Sequence, residues 1–393
     1  MNLPSDDSTG TVAAYAVGNA LGATTAEVAG ALEAGRTGLA PCALDVPFET
    51  ATGSLPEELP ALPSGLRPWD SRVARIAALV FQEVAPSVER AVRRWGADRL
   101  AVVMGTSTGG ILETERALAA FAERGSLPPG WDLHRQHSFH GLLEVVRALA
   151  GARGPAWVVS TACSSSAKVL GSARRLLRCG LADAVLVGGA DSLCHTTLRG
   201  FASLQALSAR PCRPFAADRD GTSIGEGAAF MLLERRGDGP ARLLGVGESS
   251  DAHHMSHPHP EGVGAIAAMT EALAQARIEG SAVDYVNAHG TATPANDVVE
   301  ARAIERVIGN RAAVASTKGF TGHMLGAAGM TEAVFAVMAM ERSFVPESLG
   351  AAPLDPGVRL DIVRSARRMR VRHAVSNSFA FGGNNASVVF GAA

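Results

Sequence analysis

Short apolar runs that break into turns of glycine, serine and threonine, then resume as helical patterns, recur along this chain. That repeat restricts it to a layered α/β fold with buried strands. Residues 100–104 run into Gly105-Thr106-Ser107-Thr108-Gly109-Gly110 ahead of a helix over 112–124. Residues 157–160 run into a second such turn, after which Ala167, Leu170, Gly171 and Leu177 share one helical face and Lys168, Arg174, Arg175 and Arg178 another. Residues 184–187 form a further strand ending in Gly188-Gly189-Ala190-Asp191. Around Arg242 the organisation begins again, with strands to 246 and over 283–288 and 313–316, helices over 264–276, 298–308 and 325–340, and last strands flanking 377–385. The expectation is a duplicated α/β core, one half over residues 1–240 and the other over 241–393.

Ahead of these units, residues 11–18 read as a strand and 26–34 as a helix capped by Thr25. Residues 54–68 hold four prolines and read as a surface loop, and 72–95 read as a helix.

At 393 residues and 47% hydrophobic content the chain can bury a large core. A formal charge of −2 leaves no basic footprint for nucleic acid, and no run of Lys and Arg marks a membrane surface. Cys42, Cys163, Cys179, Cys194 and Cys212 form neither a close metal-type pair nor a dense framework, so free thiols in the cytoplasm are expected. Residues 1–7 lack the basic-then-apolar pattern of a leader, and no apolar run reaches the roughly 20 residues that span a bilayer.

Cys163 lies in Val158-Val159-Ser160-Thr161-Ala162-Cys163-Ser164-Ser165-Ser166, where a strand gives way to a helix. Free amide N–H groups and the macrodipole at a helix start favour the thiolate, the nucleophilic form. A buried structural cysteine is the other reading, and this stretch alone leaves both open. Tyr285-Val286-Asn287-Ala288-His289-Gly290-Thr291-Ala292-Thr293 puts His289 at the carboxyl end of a buried strand, where α/β sheets assemble sites, or else makes it a hydrogen-bonded core histidine. Thr291 and Thr293 alternate beyond it and can bond a polar substrate arm. Asp297 and Glu300 read as a capping arrangement. Lys318 and His323 share a glycine-rich turn, and Lys318 offers the partner that Glu332 needs if buried. Phe379 and Phe381 lead into Gly382-Gly383, a turn whose backbone N–H groups can stabilise an oxyanion.

Other stretches resemble chemistry less closely. The 105–110 turn lacks the Gly-Lys-Ser/Thr ending of a phosphate loop and reads as shaping a channel. His253, His254, His257 and His259 invite a metal, but Pro258 and Pro260 prevent a helix from aligning them, so they read as a loop at the entrance to the site and no metal is expected. Arg and Asp alternate over 213–221 and read as internal ion pairs.

In combination, Thr161-Ala162-Cys163-Ser164-Ser165, His289-Gly290-Thr291-Ala292-Thr293, Ser316-Thr317-Lys318 with Gly322-His323, and Asn377-Ser378-Phe379-Ala380-Phe381-Gly382-Gly383 resemble the motifs of the β-ketoacyl-acyl-carrier-protein synthases, elongating ketosynthases of the thiolase superfamily. Arg213-Pro214-Phe215 with Arg219-Asp220-Gly221 resembles a further segment of that family, so the resemblance covers nearly the whole chain. It implies a thiolase-like five-layered αβαβα fold of two duplicated halves, usually dimeric. It implies that Cys163 takes an acyl group from the phosphopantetheine of an acyl carrier protein, and that His289 and His323 stabilise the enolate formed when malonyl-carrier loses carbon dioxide. Backbone N–H groups of Cys163 and Phe381 would form the oxyanion hole, Phe381 also serving as a gate. Lys318 and Glu332 match a supporting pair, with Asp297 and Phe379 also supporting. Thr291 and Thr293 match pantetheine contacts, and Phe201 and Ile111 the substrate tunnel. Arg67, Arg72 and Arg75 would receive an acidic carrier, unless they form an ordinary solvated helix face.

The implied partners are the carrier and either a second copy or a related chain-length factor, without nucleic acid, membrane or any cofactor beyond the carried phosphopantetheine. Thiolases use a second, late cysteine and no Cys follows Cys212; initiating synthases use Cys, His and Asn. Decarboxylative elongation by two carbons is therefore expected, with acyl transfer or malonyl decarboxylation alone, or a structural chain-length role, as alternatives. Cys163 argues against the last. Asn296 stands where the family commonly has Gly, Thr222 where an aromatic often stands, and Gln205 where housekeeping synthases have Arg. With the serine run 164–166 these departures resemble a discrete synthase of a specialised pathway such as that for aryl polyenes.

Overall fold

In the computed structural model, which describes residues 10–393, eleven strands form one sheet whose order repeats. Residues 1–7, read above for a leader, lie outside the described residues. The first half contributes β1 (Thr11–Asn19), β2 (Leu100–Gly105), β3 (Ala156–Val159), β4 (Ala184–Asp191) and β5 (Gly227–Glu234), bonded in the order β1-β5-β4-β2-β3. The second contributes β6 (Ala241–Ser250), β7 (Tyr285–Asn287), β8 (Ala313–Ala315), β9 (Asp361–Ile362), β10 (His373–Phe379) and β11 (Asn384–Ala392), in the order β6-β11-β10-β7-β8-β9. Setting aside the short edge strand β9, the two orders are the same. So are the directions: β1–β5 and β5–β4 are antiparallel and β4–β2 and β2–β3 parallel, as are β6–β11, β11–β10, β10–β7 and β7–β8 in turn. The halves join where β1 pairs with β6, Thr11 opposite Arg242.

Two helices, Ser165–Arg178 and Ala328–Arg342, form the central layer. Every residue from Ala328 to Met340 is buried, as a helix covered on all sides requires of its sequence. Helices Arg72–Trp95 and Phe139–Ala150 cover the outer face of the first half, and Val263–Ala276 and Asn296–Val307 that of the second. One apolar core spans both faces of the central helices and one lies under each outer pair, giving five layers, αβαβα, and the fold is thiolase-like. No helix of the described residues is long and apolar enough to cross a membrane.

Two local expectations need correction. The first helix is capped by Thr24, whose hydroxyl accepts from the Glu27 N–H in a capping box; Thr25 instead accepts from Val17 N–H with its hydroxyl, at 3.1 Å. Strand β3 is half-buried because it lies at the sheet edge. The 105–110 turn, read above as shaping a channel, also builds the joint between the halves. The buried Asp191 carboxylate accepts from Thr106 Oγ1 (2.6 Å), Thr108 N–H (2.8 Å) and Ala327 N–H (3.1 Å).

This joint sets the first turns of both central helices against each other. Met330 N–H donates to Ser166 Oγ at 2.8 Å, and a Cβ on Gly105 would lie 2.5 Å from the Ser166 amide nitrogen. Gly105→Ala must therefore displace backbone at the start of the Cys163 helix. It should cost about 1–3 kcal/mol of stability, read from the urea midpoint, and slow modification of Cys163 in protein that remains folded. Unchanged stability and thiol reactivity would show that the joint does not position the helix.

Candidate active site

Cys163 follows β3 by way of Ala162, which is held at φ 51° in the left-handed region. Ser165 Oγ donates to the Ala162 carbonyl (2.6 Å) and accepts from Thr161 N–H (2.9 Å), fixing the turn. Cys163 is 5% exposed, and burial pushes its thiol pKa up to about 11 against the opposing effects of the Lys318 charge and the N–H groups of Phe381 and of Cys163 itself. The expectation of a resting thiolate is thus corrected: desolvation outweighs the helix start. The two N–H groups still converge on the sulfur.

His289 follows the end of β7, and its backbone is gripped by Glu300, which accepts from the N–H groups of His289 and Gly290 at 2.7 Å each. Lys318 Nζ contacts His289 Nδ1 at 3.3 Å and also bonds the His289 carbonyl and Glu332. His323 is pinned by the first half, since its N–H donates to the Ser223 carbonyl (2.7 Å) and its carbonyl accepts from Gly225 N–H (3.0 Å). Its Nδ1 accepts from Leu325 N–H at 3.2 Å.

Those contacts decide the protonation of both rings. Burial, reinforced by the Lys318 charge, holds both histidines well below the usual imidazole range, so each carries one proton. Nδ1 of each faces a donor, which places the proton on Nε2. His323 Nε2 is buried without a partner, and the rings stand 5.3 Å apart at 87°. The site thus aims two N–H donors at one point beside the thiol.

Cys163, His289 and His323 present donor atoms within 4.8 Å of one another, close enough to suggest a metal site. Ligation through Nε2 would require both rings to exchange tautomers and would leave Leu325 N–H and Lys318 without these acceptors. The donor set fits a developing oxyanion better than a cation.

The cavity before these groups is lined by Phe201, Phe379 and Phe381, with Thr291 and Thr293 along one side, their hydroxyls 2.9 Å apart. The Phe201 and Phe381 rings stack at 5.4 Å, and Phe379 lies 6.2 Å from the His289 ring. Ser256, His257 and Pro258 line it as well, so the histidine loop lies where the sequence places it. Asp251, Asn296 and Asn385, which the sequence reading did not place in the cavity, line it too.

Other assignments fare differently. Ile111 does not line this cavity: it opens a helix whose Leu118 and Phe121 face outward, and Gly110 before it is packed on the Gln136 carbonyl. Arg72 is not free for a carrier, because it is 14% exposed and bound to Glu226 at 2.5 Å. Arg75 is paired with Asp70, and Arg67 is exposed. Asp297 and Glu300 cap nothing; Asp297 accepts from Phe215 N–H (2.8 Å) and Ala292 N–H (3.1 Å), tying the 213–221 segment to the His289 turn. Of the ion pairs expected within that segment, Arg213 with Asp218 is present, whereas Arg219 pairs outside it, with Asp355. The missed role of Glu300 was available in the i, i+3 spacing of two acids on a buried helix face.

The family profile "Beta-ketoacyl synthase, N-terminal domain" matches residues 75–239, and "Beta-ketoacyl synthase, C-terminal domain" matches 240–352. The chain belongs to the β-ketoacyl synthase family. It is 36% identical over 313 residues to the 3-oxoacyl-[acyl-carrier-protein] synthase 2 of Vibrio harveyi, covering 75% of each chain. The enzyme of the same name from Synechocystis is 36% identical over 340 residues, 81% of each chain. Among solved structures, a chain of the complex of the ketosynthase ApeO with its chain length factor ApeC from Xenorhabdus doucetiae superposes with a TM-score of 0.92 at 36% identity over 100% of both chains.

A Cys163 thiol that titrates at about 11 is almost wholly protonated at neutral pH. Its alkylation by iodoacetamide, followed by peptide mass in substrate-free protein, should accelerate about tenfold per unit between pH 7 and 10, without a step near 6.5 from either histidine. A plateau reached by pH 8 would instead reveal a stabilised thiolate.

Proposed function

We propose that this chain catalyses the decarboxylative Claisen condensation of a Cys163-bound acyl group with malonyl-acyl-carrier protein, extending the chain by two carbons. The observation that carries this reading is the pair of neutral Nε2–H donors, His289 and His323, converging beside a buried thiol. Cys163 sulfur attacks the acyl thioester carbon, its proton passes to the departing pantetheine thiol, and the N–H groups of Cys163 and Phe381 hold the oxyanion. Malonyl thioester then loses carbon dioxide while the two histidines donate to the enolate oxygen. The carbanion attacks the acyl carbon and expels Cys163 as thiolate, which takes a proton from solvent.

Lys318 and Glu332 fix His289, Thr291 and Thr293 take the amides of the carrier's phosphopantetheine, and Phe381, stacked on Phe201, gates the acyl side. The carried phosphopantetheine is the only prosthetic group this chemistry calls for. The division at residue 240 into a nucleophile half and a histidine half belongs to the same reading, and is supported by the repeated strand order and by the join of the two family profiles.

We assign the pathway to discrete synthases of fatty-acid-like, polyketide or aryl-polyene biosynthesis, favouring aryl polyenes. Full-length likeness to a chain of the ApeO–ApeC complex supports that choice, as do Asn296 and Thr222 in the cavity wall. A dimer with a second copy or a chain-length factor is supported by the half-buried edge strand β3 and by the exposed Leu118, Phe121, Leu127 and Leu133. The five free thiols suit the cytoplasm.

Intact-mass analysis tests the reading. Acyl-carrier thioesters should add an acyl mass to the unmodified protein but not to Cys163→Ala, and malonyl-carrier should remove it as a product two carbons longer. His323→Ala should still acquire the acyl mass while turning over about 10²- to 10³-fold more slowly. Failure to acylate with any carrier, alone or with a co-expressed partner, would leave only the structural role; acylation without elongation would leave acyl transfer.

A further inference from the structure

The condensation just described makes no use of the four histidines over 253–259. Pro258 and Pro260 do rule out a helix there, but a turn brings two of the rings together. His254 and His257 face each other across Met255 and Ser256 with their Nδ1 atoms 3.1 Å apart, ring centroids 4.8 Å apart and planes at 68°. Two imidazole nitrogens on one zinc at about 2.0–2.1 Å lie roughly 3.3 Å apart in a tetrahedral shell and roughly 3.0 Å apart in a six-coordinate one. The observed spacing falls between these values. Ser256 Oγ lies 3.4 Å from one Nδ1 and 3.2 Å from the other, adding an oxygen donor on the same side.

The metal-free contact is crowded. His254 Nδ1 already accepts from the Ser256 N–H at 3.1 Å, so the His257 N–H must share the same lone pair. A cation bound by both Nδ1 atoms takes that lone pair from both donors: His257 moves its proton to Nε2, no net proton need leave, and the Ser256 N–H, in an exposed turn, passes to solvent where the buried Leu325 N–H at the catalytic histidines could not. The second pair, His253 and His259, has ring centroids 4.9 Å apart, and the close approach of two ring nitrogens belongs to His254 and His257.

We propose that this turn binds one divalent transition cation of the zinc class through His254 Nδ1 and His257 Nδ1, and that binding holds the cavity entrance shut. The link to the entrance is direct. Met255, between the two ligands, accepts the Gly382 N–H at 2.7 Å, and Gly382 adjoins Phe381. Gly383 accepts from Asp251 N–H at 2.9 Å, so the two turns are laced together. Gly382 and Gly383, at φ 78° and 73°, form the segment that must move for Phe381 to swing, and a chelated histidine turn restrains it.

The gating effect rests on the reading that acyl thioesters enter past Phe381; the binding itself does not. Calorimetric titration with zinc alone is therefore made on Cys163→Ala, which removes the catalytic thiol as a ligand, and compared with the same protein carrying His254→Ala or His253→Ala. The expected result is one equivalent of zinc lost with His254→Ala and retained with His253→Ala. Zinc should also slow acylation of the unmodified protein severalfold more than that of His254→Ala, both of which keep the catalytic thiol, each rate read against that variant's own zinc-free rate. Equal stoichiometry in both variants would overturn the site, whatever the outcome of the carrier experiments. Zinc bound at His254 without slowed acylation would overturn its action on the entrance.

Discussion

One buried cation sets the electrostatics of the site. Lys318 is 1% exposed and bonds Glu332, the His289 carbonyl and His289 Nδ1 at once. Burying such a pair costs several kcal/mol per ion before its attraction is counted, so packing alone does not explain its presence. Its consequences lie in the neighbouring groups. The Lys318 charge opposes protonation of both histidines, draws the Cys163 thiol down from where burial alone would place it, and counters the burial that lifts Glu332 to about 7. The same ammonium occupies His289 Nδ1 and so fixes which nitrogen faces the substrate. Thiol, neutral imidazoles and the His289 tautomer thus all feel one side chain that touches no reacting atom, while the Leu325 N–H sets the His323 tautomer.

Backbone strain places what this charge tunes. Ala162, Ala292 and Leu325 take φ of 51°, 63° and 52°, each within two residues of Cys163, His289 or His323 or of their turns, and Phe215, at 65°, lies beside the His289 turn. Non-glycine residues there cost of order 1–3 kcal/mol each and persist only where the surroundings over-determine them. The surroundings here are the Asp191 and Asp297 carboxylates, buried and each accepting several N–H or O–H groups from segments distant in sequence.

This explains what the sequence made legible. Strand and helix periods, and the renewal of the pattern near Arg242, belong to local chain chemistry, and the structure follows them to within a few residues. The residues carrying chemistry were legible through motif, because a thiol, two imidazoles and a Gly-Gly turn are rare enough to notice. The balance at Cys163 was not, since the helix start is local whereas the burial that outweighs it comes from both halves. Asp297 and Glu300 read as a cap for the same reason: their acceptors are used by Phe215 and His289, which no spacing within one helix reveals. Arg72 read as a docking charge because Glu226, its partner, is 154 residues away.

The duplication shows how such a site arises from a symmetric frame. In each half the third strand leads to the central helix: β3 to Ser165–Arg178 by the Cys163 turn, β8 to Ala328–Arg342 by the Lys318–His323 turn. Nucleophile and one histidine therefore occupy topologically equivalent turns, brought together because the two central helices abut at their starts. The turns after the second strands are likewise equivalent, yet one binds Asp191 and the other bears His289. The fourth core strands, β4 and β10, end at Asp191 and Phe379, a knot in one half and the entrance in the other. Because the two halves use the same turns differently, one forms the joint while the other carries Gly382-Gly383 beside the cavity at Cys163. A perfectly repeated chain would place either two joints or two openings at the same pseudo-twofold, and the asymmetry of sequence within a symmetric fold is what separates holding the thiol from admitting its substrate.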